Sequence, residues 1–361
     1  MIIILKDFLI KFGYFISITF WIVSIFIYLL KIFNEDFGSF TSYGKLKFNL
    51  KILKEKKKKN KDNNNNNNNK NNNINITSIL NLLFLDREII DTKQAWLLFY
   101  TILLVLSNIF FFILSEKNIK STVSTQILFI LFFIQSGRRL YETHFIQKHR
   151  KSKMNLLLFI SGLCYYLFLT LSAFTETLYK SNEENSINIF NLFLSILLFS
   201  IGSFEQYKSH EILSLIRSNS KIINNNSNNN NNNNNKIKSK NYIINKIIDV
   251  SDEDNDDDYI DQDINDKDFD DKIEYKTTSS TKYEIPNGRL YHYVSSPHYL
   301  SEILIYFSFL VLTNFKLNSL ILNFIFTSLN LIHRSYQTHK WYKSKFSNYP
   351  KSRKAIIPFL F

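Results

Sequence analysis

The chain has 361 residues and a formal net charge of +13, and it contains 34 Phe and 20 Tyr but only 7 Gly, 4 Pro and 1 Cys. A single cysteine excludes a disulfide framework and a cysteine-based zinc site. The positive charge does not favour nucleic-acid binding, because Lys and Arg cluster beside apolar segments, as they do on the cytoplasmic flanks of membrane helices.

The first apolar run, near residues 8–33, is too long for the apolar core of a signal peptide, and no small-residue cleavage site follows it. We therefore expect it to be retained as a membrane span.

Apolar runs of spanning length recur along the chain. A transmembrane helix needs roughly 17–25 predominantly apolar residues. The third run is interrupted near its end by Arg138 and Arg139, and the sixth carries Glu302 near its start. The sequence predicts an all-α integral membrane protein with about seven transmembrane helices, near residues 8–33, 96–115, 121–141, 154–175, 187–204, 298–315 and 317–335.

Two low-complexity tracts interrupt these runs. Residues 45–73 are rich in Lys and Asn, and residues 218–280 contain an Asn run followed by an acidic stretch. Neither tract has enough apolar surface to offset the entropy of ordering, so both are predicted to be disordered insertions. The predicted segments are a first span (1–44), an insertion (45–73), helices two to five (74–217), a second insertion (218–280) and a C-terminal segment with helices six and seven (281–361).

Basic residues predict the orientation of the spans. Lys and Arg are dense after spans one, three, five and seven and sparser in the intervening loops. Because short cytoplasmic flanks carry this excess, the N-terminus is predicted to be lumenal and the C-terminus cytosolic.

Ionisable residues collect at the predicted cytosolic ends of the helices. Such groups are expensive at membrane depth and indicate a functional pocket. The alternative, that long side chains at helix ends reach toward water, explains Lys and Arg but explains Glu302 less well. The set comprises Arg138, Arg139, Glu142, Glu205, Glu302, His333 and Arg334.

The C-terminal segment has local features that point to a ligand. Pro286, Asn287 and Gly288 predict a turn, and Pro297 is suited to the first turn of the sixth helix. His298 and Glu302, four residues apart, share a helix face. A pocket with Arg, Lys, Tyr and an acid suits a phosphorylated, ribose-bearing aromatic ligand. The Gly-rich dinucleotide fingerprint does not occur, so such a site is not of the Rossmann type.

Four motifs carry a family resemblance. They read "YEIPNGRLYHYVSSPHYLSEI" at 283–303, "HKWYKSKFSNYPKSRKAIIPFLF" at 339–361, "RRLYE" at 138–142 and "KQAWLLFY" at 93–100. Together they resemble the steroid 5-alpha-reductase family, and within it the polyprenol reductase branch. The resemblance implies a seven-helix reductase of the endoplasmic reticulum membrane that uses NADPH. No metal site is expected.

The resemblance also implies roles for individual residues. Tyr283, Glu302, Arg334, Tyr342 and Arg353 match positions that line the family's cofactor pocket, and we expect Tyr349 and Lys351 of the tail to complete it. His339, Tyr141 and His298 are the candidate catalytic residues. His298 stands where steroid-reducing members often have Asn. The candidate substrate-binding residues are Arg138, Arg139, Glu142 and Trp96.

A departure from the family pattern bears on the substrate. Steroid-reducing members carry a Gln-Glu-Leu-Pro motif in an early helix, and this chain does not. A long-chain polyprenyl lipid is therefore favoured, with reduction of its α-isoprene double bond supplying dolichol for protein glycosylation. Because hydride adds readily to a double bond conjugated to a carbonyl, we expect the aldehyde to be the reacting form. The alternatives are reduction of an enoyl thioester or a 3-oxo-steroid, an isoprenylcysteine-type methyltransferase, and a non-catalytic scaffold.

Overall fold

The computed structural model describes residues 2–33, 88–117, 119–148, 152–181, 188–227 and 283–360. The predicted insertion at 45–73 and most of the one at 218–280 lie outside these ranges. Within them the chain forms seven α-helices: α1 Ile2–Phe33, α2 Thr92–Ser115, α3 Val123–Tyr141, α4 Leu156–Tyr179, α5 Ile189–Ser227, α6 Pro297–Leu312 and α7 Asn318–Lys345.

All seven predicted apolar runs are helical, and the all-α membrane fold is confirmed. Four helices are long and apolar enough to cross a membrane by length and composition: α1, α2, α4 and α5. The others fall short because α3 ends in Arg138 and Arg139, α6 has 16 residues, and the second half of α7 is polar. The total of seven spans therefore stays a prediction.

Two helices extend well beyond the predicted bounds. The fifth run was expected to end at 204, but α5 continues to Ser227 and so passes the predicted start of the second insertion at 218. The seventh was expected to end at 335, but α7 continues to Lys345. Extending a formed helix adds one hydrogen bond for each residue fixed, so polar residues join the end of an apolar helix at low cost.

A two-stranded antiparallel sheet joins distant parts of the chain within the helical fold. Strand β1 (Glu88–Asp91) pairs antiparallel with β2 (Lys153–Asn155), directly before α2 and α4. Asp91 caps α2 by accepting from the Lys93 amide at 2.8 Å, and Asn155 caps α4 by accepting from the Leu158 amide at 2.9 Å. This strand pair thereby places the starts of α2 and α4 side by side.

Helices α5 and α6 pack at close range. A Cβ atom at Gly202 of α5 would lie 2.9 Å from Ile305 Cγ1 and 3.0 Å from the Ser301 carbonyl oxygen. Only glycine allows this approach, which also lets the Ser195 hydroxyl donate to the Ser308 carbonyl at 2.9 Å. The pair positions the polar second half of α5 against the first turns of α6.

The segment before α6 has the predicted turn. Gly288 has a φ of 93° and a ψ of 151°, a conformation that is open almost only to glycine. A 3-10 turn follows at Arg289–His292, and Pro297 lies in the first turn of α6 as expected.

Helix α7 is anchored at its start by a buried carboxylate of α4. Glu176 is fully buried and accepts from the backbone amides of Asn318 and Ser319, both at 2.8 Å. Its Oε1 atom also lies 3.0 Å from Lys180 Nζ. A carboxylate at a helix N-terminus satisfies otherwise unpaired amides and the positive end of the helix dipole.

Candidate functional site

A buried carboxylate organises the end of α3. Glu142 is fully buried and forms ion pairs with Arg138 and with Arg139, the latter at 2.5 Å between Arg139 Nη1 and Glu142 Oε2. His210 of α5 approaches the same carboxylate oxygen at 2.7 Å. We call the connected set the carboxylate network; its members are Tyr100, Gln135, Arg138, Arg139, Glu142, Gln206, His210 and Glu302.

The position of Glu142 depends on a local change of helix type. The chain leaves α3 in a π-helical segment, Glu142–Ile146, in which the Gln147 amide donates to the Glu142 carbonyl at 2.7 Å. The Ser214 hydroxyl of α5 donates to the Ile146 carbonyl at 2.6 Å and fixes the end of this segment. Single π-helical turns are frequent at functional sites.

The neighbours of Glu142 keep it ionised. Burial by itself would raise the pKa of Glu142, but the hydrogen bond from His210 and the charge of Arg139 lower it to about 2. His210 Nδ1 also lies 2.8 Å from Arg139 Nη1. Arg139 already donates to the Glu142 carboxylate. If His210 carries its proton on Nδ1 and donates it to Glu142, then the guanidinium, the carboxylate and the imidazole each have a hydrogen bond.

Tyr100 of α2 joins the network through Arg139. Its hydroxyl oxygen lies 2.8 Å from Arg139 Nη2 and 3.2 Å from Arg139 Nε, and the residue is 4% exposed. Because the Tyr100 oxygen accepts from two guanidinium N–H groups, the proton of the Tyr100 hydroxyl can be donated to another acceptor. Trp96 stacks on the Tyr100 ring with centroids 5.7 Å apart.

Gln206 of α5 links α3 to α6. Arg138 Nη2 donates to Gln135 Oε1 at 2.8 Å and also to Gln206 Oε1, and Gln206 Nε2 donates to the Glu302 carboxylate. The two predicted groups, Arg138 and Glu302, are therefore brought together by a residue between them that was not predicted.

The C-terminal tail forms a second buried group around Ser295. The Ser295 hydroxyl lies 2.6 Å from both His339 Nδ1 and the Tyr349 hydroxyl, and its amide donates to the Lys354 carbonyl at 2.8 Å. Tyr342 stacks on Tyr349 at 5.4 Å with an interplanar angle of 7°. We call Ser295, His339, Tyr342, Tyr349 and Arg353 the tail cluster.

Arg353 is an interior residue of the tail cluster. It is 3% exposed, its Nη1 donates to the Pro286 carbonyl at 2.9 Å, and its guanidinium lies 5.2 Å from the Tyr349 ring centroid. The tail therefore holds the segment that leads into α6.

Two groups of the tail cluster are neutral near pH 7. Burial lowers the pKa of His339, and the positive charge of Lys343 lowers it further. Burial also raises the pKa of Tyr342. His339 is therefore an uncharged imidazole. Its Nδ1 atom either accepts a hydrogen bond from the Ser295 hydroxyl or donates one to it, depending on the tautomer.

His298 lies between the carboxylate network and the tail region. Its ring centroid is 5.7 Å from that of His210, and its Nδ1 atom is 3.5 Å from the hydroxyl of the buried Tyr291. The two groups are thus parts of one polar region at this end of the helices.

Several predicted site residues lie at the margins of this region. Tyr141 is 52% exposed and contacts Phe145 at 5.2 Å, and Lys351 is exposed. Arg334 is half-buried and donates from Nε to Asn330 Oδ1 at 3.1 Å. Tyr283 packs edge-on against Trp341 at 5.1 Å.

The sequence-based prediction did not include Gln206, His210 or Tyr100. Gln206 and His210 are four residues apart and share one face of α5. This spacing of two polar residues after the apolar part of α5 could have been used to predict that both belong to the site. Tyr100 was part of a quoted motif, but an aromatic residue in an apolar run is not by itself a functional signal.

Sequence comparisons show which known proteins the chain is similar to. The family profile for 3-oxo-5-alpha-steroid 4-dehydrogenase matches residues 265–361. The chain is 25% identical over 256 residues to a polyprenal reductase of Rattus norvegicus, a match that covers 67% of this chain and 59% of the relative. Polyprenal reductase 1 of Oryza sativa subsp. indica is 46% identical over 81 residues, 22% of this chain and 23% of the relative.

A steroid reductase is also similar. A steroid 5-alpha-reductase of Solanum lycopersicum is 45% identical over 80 residues, 22% of this chain and 30% of the relative. The matches thus span less than two thirds of the relatives' own length. The resemblance that the motifs predicted is confirmed: the C-terminal part of the chain matches the domain of the steroid 5-alpha-reductase family, and polyprenal reductases extend the similarity over two thirds of the chain.

Proposed function

We propose that this protein is a reductase that uses NADPH to saturate the α-isoprene double bond of polyprenal. The main support is the similarity to a polyprenal reductase over 67% of the chain. The C-terminal segment that matches the family profile supplies Glu302 to the carboxylate network and His339 and Arg353 to the tail cluster.

The aldehyde is favoured over the alcohol on chemical grounds. NADPH supplies the hydride that adds to the carbon β to the carbonyl, and a proton then adds to the α carbon. Negative charge develops on the carbonyl oxygen of an enal, whereas an allylic alcohol has no such electron sink. The protein's share is to hold the substrate and to place hydrogen-bond donors around that oxygen.

Buried donors on the substrate side and on the cofactor side of the site fit bound molecules that carry acceptor oxygens. Within the described part of the chain, Arg138 Nε, Gln135 Nε2 and Arg353 Nε are buried N–H donors that have no hydrogen-bond partner. Buried donors are rarely left unpaired, and guanidinium groups pair best with phosphate or carboxylate oxygens. An acceptor from a bound molecule would complete these three groups.

We assign the cofactor to the region between the two clusters. Tyr283, Glu302, Arg334, Tyr342, Tyr349, Lys351 and Arg353 are the residues proposed to hold it. Glu302 is suited to accept from hydroxyl or carboxamide groups, and Arg334, Lys351 and Arg353 to balance phosphate charge. Arg138, Arg139, Glu142 and Trp96 are assigned to the substrate side.

Tyr100 is the best-placed donor for the carbonyl oxygen. His339, Tyr141 and His298 were the candidates from sequence. His339 is committed to Ser295, and half of the Tyr141 surface is exposed. Tyr100 is buried, and the cationic guanidinium of Arg139 polarises its hydroxyl. A phenol held in this way stabilises a developing oxyanion.

Product analysis tests the proposed reaction. Purified full-length protein with NADPH is expected to convert polyprenal to the α-saturated aldehyde, which mass spectrometry detects as a gain of two hydrogens. Polyprenol without an oxidant should react far more slowly. Turnover of an enoyl thioester or a 3-oxo-steroid instead of polyprenal would support the alternative reductases. Binding of S-adenosylmethionine without binding of NADPH would support the methyltransferase.

We place the protein in the endoplasmic reticulum membrane, with the site facing the cytosol and its product feeding dolichol synthesis for protein glycosylation. Two sequons test this orientation, Asn75-Ile76-Thr77 and Asn225-Asn226-Ser227. Both lie in segments predicted to be cytosolic, so both are expected to remain unglycosylated. The measurement is the gel mobility of protein from microsomes before and after endoglycosidase treatment. A shift that Asn75→Gln or Asn225→Gln abolishes would contradict the orientation.

A further inference from the structure

A group of apolar side chains is exposed beside the tail cluster. Ile357 is 40% exposed, and Phe359 and Leu360 are each 78% exposed. The Phe359 ring contacts that of Tyr293, which is itself 49% exposed, at a centroid distance of 5.5 Å. We call Tyr293, Ile357, Phe359 and Leu360 the apolar patch.

The backbone that carries this patch is strained. The Leu360 amide donates to the Ile357 carbonyl at 3.3 Å and closes a turn with Pro358 at its second position. Phe359, at the third position, has a φ of 66°. Turns with a positive φ at this position normally have Gly or Asn there, and a bulky side chain in this region is an outlier. A strained backbone under an exposed aromatic ring indicates a role outside the folded interior.

Hydrogen bonds fix the level of the patch along α6 and α7. The Lys354 amide donates to the Tyr293 carbonyl, and the Ser295 amide donates to the Lys354 carbonyl, both at 2.8 Å. The Ser335 hydroxyl of α7 donates to the Ala355 carbonyl at 2.5 Å. The residues that lead into the apolar patch therefore lie beside the start of α6 and beside Ser335 of α7.

This level lies within the thickness of a bilayer. Helix α6 has 16 residues and is ~24 Å long, and Ser335 lies ~26 Å from the first residue of α7. Both distances run from the α6–α7 turn, at the far end of the two predicted spans. The hydrocarbon core of a bilayer is about 30 Å thick. The apolar patch therefore lies at the margin of the hydrocarbon layer, on the side of the tail cluster.

Exposed lysines lie farther from the α6–α7 turn than the patch does. Lys340, Lys343 and Lys345 of α7 are exposed and lie ~33–41 Å from the start of that helix. Apolar side chains at one level and cations at the next match the order of acyl chains and anionic headgroups in a leaflet. Contact with water at both levels would give no reason to keep a strained, apolar turn exposed.

We propose that the apolar patch inserts into the leaflet next to the tail cluster, at the boundary between acyl chains and headgroups. The partner of this surface is the lipid bilayer itself. The proposal rests on the predicted spans α6 and α7 and does not depend on the proposed reaction. Because Arg353 precedes Ile357 by only four residues, a turn held in the leaflet anchors the tail cluster from outside.

The test measures the depth of a nitroxide spin label in purified full-length protein, in nanodiscs of phosphatidylcholine and phosphatidylserine. Phe359→Cys and Leu360→Cys are made separately in a Cys164→Ser background, which removes the single native cysteine. Power saturation compares collisions of the label with oxygen, which concentrates among acyl chains, and with a nickel chelate, which stays in water. Labels at 359 and 360 are expected about 5–10 Å below the lipid phosphates. The control Lys345→Cys, at the exposed end of α7, should place its label in water.

Two results would overturn the proposal. If nickel-chelate collisions at positions 359 and 360 are as frequent as at 345, the turn faces water. If the labels broaden one another at close range and show no excess of oxygen collisions, a second copy of the chain covers the patch. Both labelled positions are largely exposed, so neither substitution is expected to perturb packing. The label depth is read without substrate, so a failure to reduce polyprenal would not alter this result.

Discussion

Tyr100→Phe is expected to lower kcat for polyprenal reduction by about 10²-fold while leaving NADPH binding near the wild-type value. The substitution removes only the hydroxyl that Arg139 holds at 2.8 and 3.2 Å and leaves the stacking with Trp96 in place. Loss of one preorganised oxyanion donor typically costs a factor of 10²–10³ in turnover. The measurements are steady-state kinetics and quenching of protein fluorescence by NADPH.

Two further variants make the Tyr100 test specific. Tyr179→Phe is the control: Tyr179 is the last residue of α4, stacks on Tyr14 and lies outside the proposed site, so this variant should keep wild-type turnover. Tyr141→Phe tests the donor that the sequence suggested. If turnover falls with Tyr141→Phe and stays within a few-fold of wild type with Tyr100→Phe, the assignment of Tyr100 is wrong. If no variant, including the wild type, reduces polyprenal, the proposed function itself fails.

Glu142→Ala is expected to be the most destabilising substitution at the site. Glu142 is fully buried, and its removal leaves Arg138, Arg139 and His210 without their common partner. Breaking a buried ion pair by deleting one member costs about 3–5 kcal/mol. For a domain of 150–250 residues each kcal/mol shifts the melting midpoint by roughly 2–4 °C. The expected drop in the midpoint in detergent is therefore on the order of 10 °C.

A surface ion pair provides the control for Glu142. Glu211 of α5 pairs with Lys208 at 3.1 Å. The Glu211 side chain is 39% exposed and the Lys208 side chain is 34% exposed. Glu211→Ala is expected to change stability by less than about 1 kcal/mol, because exposed pairs contribute little. Similar midpoints for Glu142→Ala and Glu211→Ala would show that Glu142 does not stabilise the site.

The lowered pKa of Glu142 predicts that the stability of the folded protein decreases in acid. The pKa of Glu142 is about 2 in the folded protein against an ordinary value of 4.5. A lowered pKa stabilises the folded state above pH 4.5, and this contribution is lost as the pH falls from 4.5 toward 2. The melting midpoint of the wild type should therefore fall over this range more steeply than that of Glu142→Gln.

Much of the fold was predictable because it depends on contiguous residues. The seven apolar runs, the Pro297 start of α6 and the turn at Gly288 were all expected, and the structure has them. The ends of α5 and α7 were not, because polar residues such as those after Arg217 and Ser335 do not distinguish a helix from a loop. A helix that has already formed continues through them at low cost.

The candidate site was only partly predictable. The motifs singled out Glu142, Glu302 and His339 but not the residues that join them. Glu142 meets His210 at a separation of 68 positions in the chain, and Gln206 meets Glu302 at a separation of 96. Such contacts depend on how α5 packs against α3 and α6, and no local pattern in one sequence records that packing.

By itself the sequence determined that this is a helical membrane protein whose C-terminal motifs match a reductase family, because apolar run length and motif spacing are local properties of the chain. The tertiary structure alone decided that Arg138 and Arg139 surround one buried carboxylate, that Arg353 and Tyr349 lie in the interior of the tail, and that Tyr100 faces Arg139. The physical reason is the cost of burying charge. An ionised group is stable away from water only where partners from several helices converge on it, and those partners are assembled by packing.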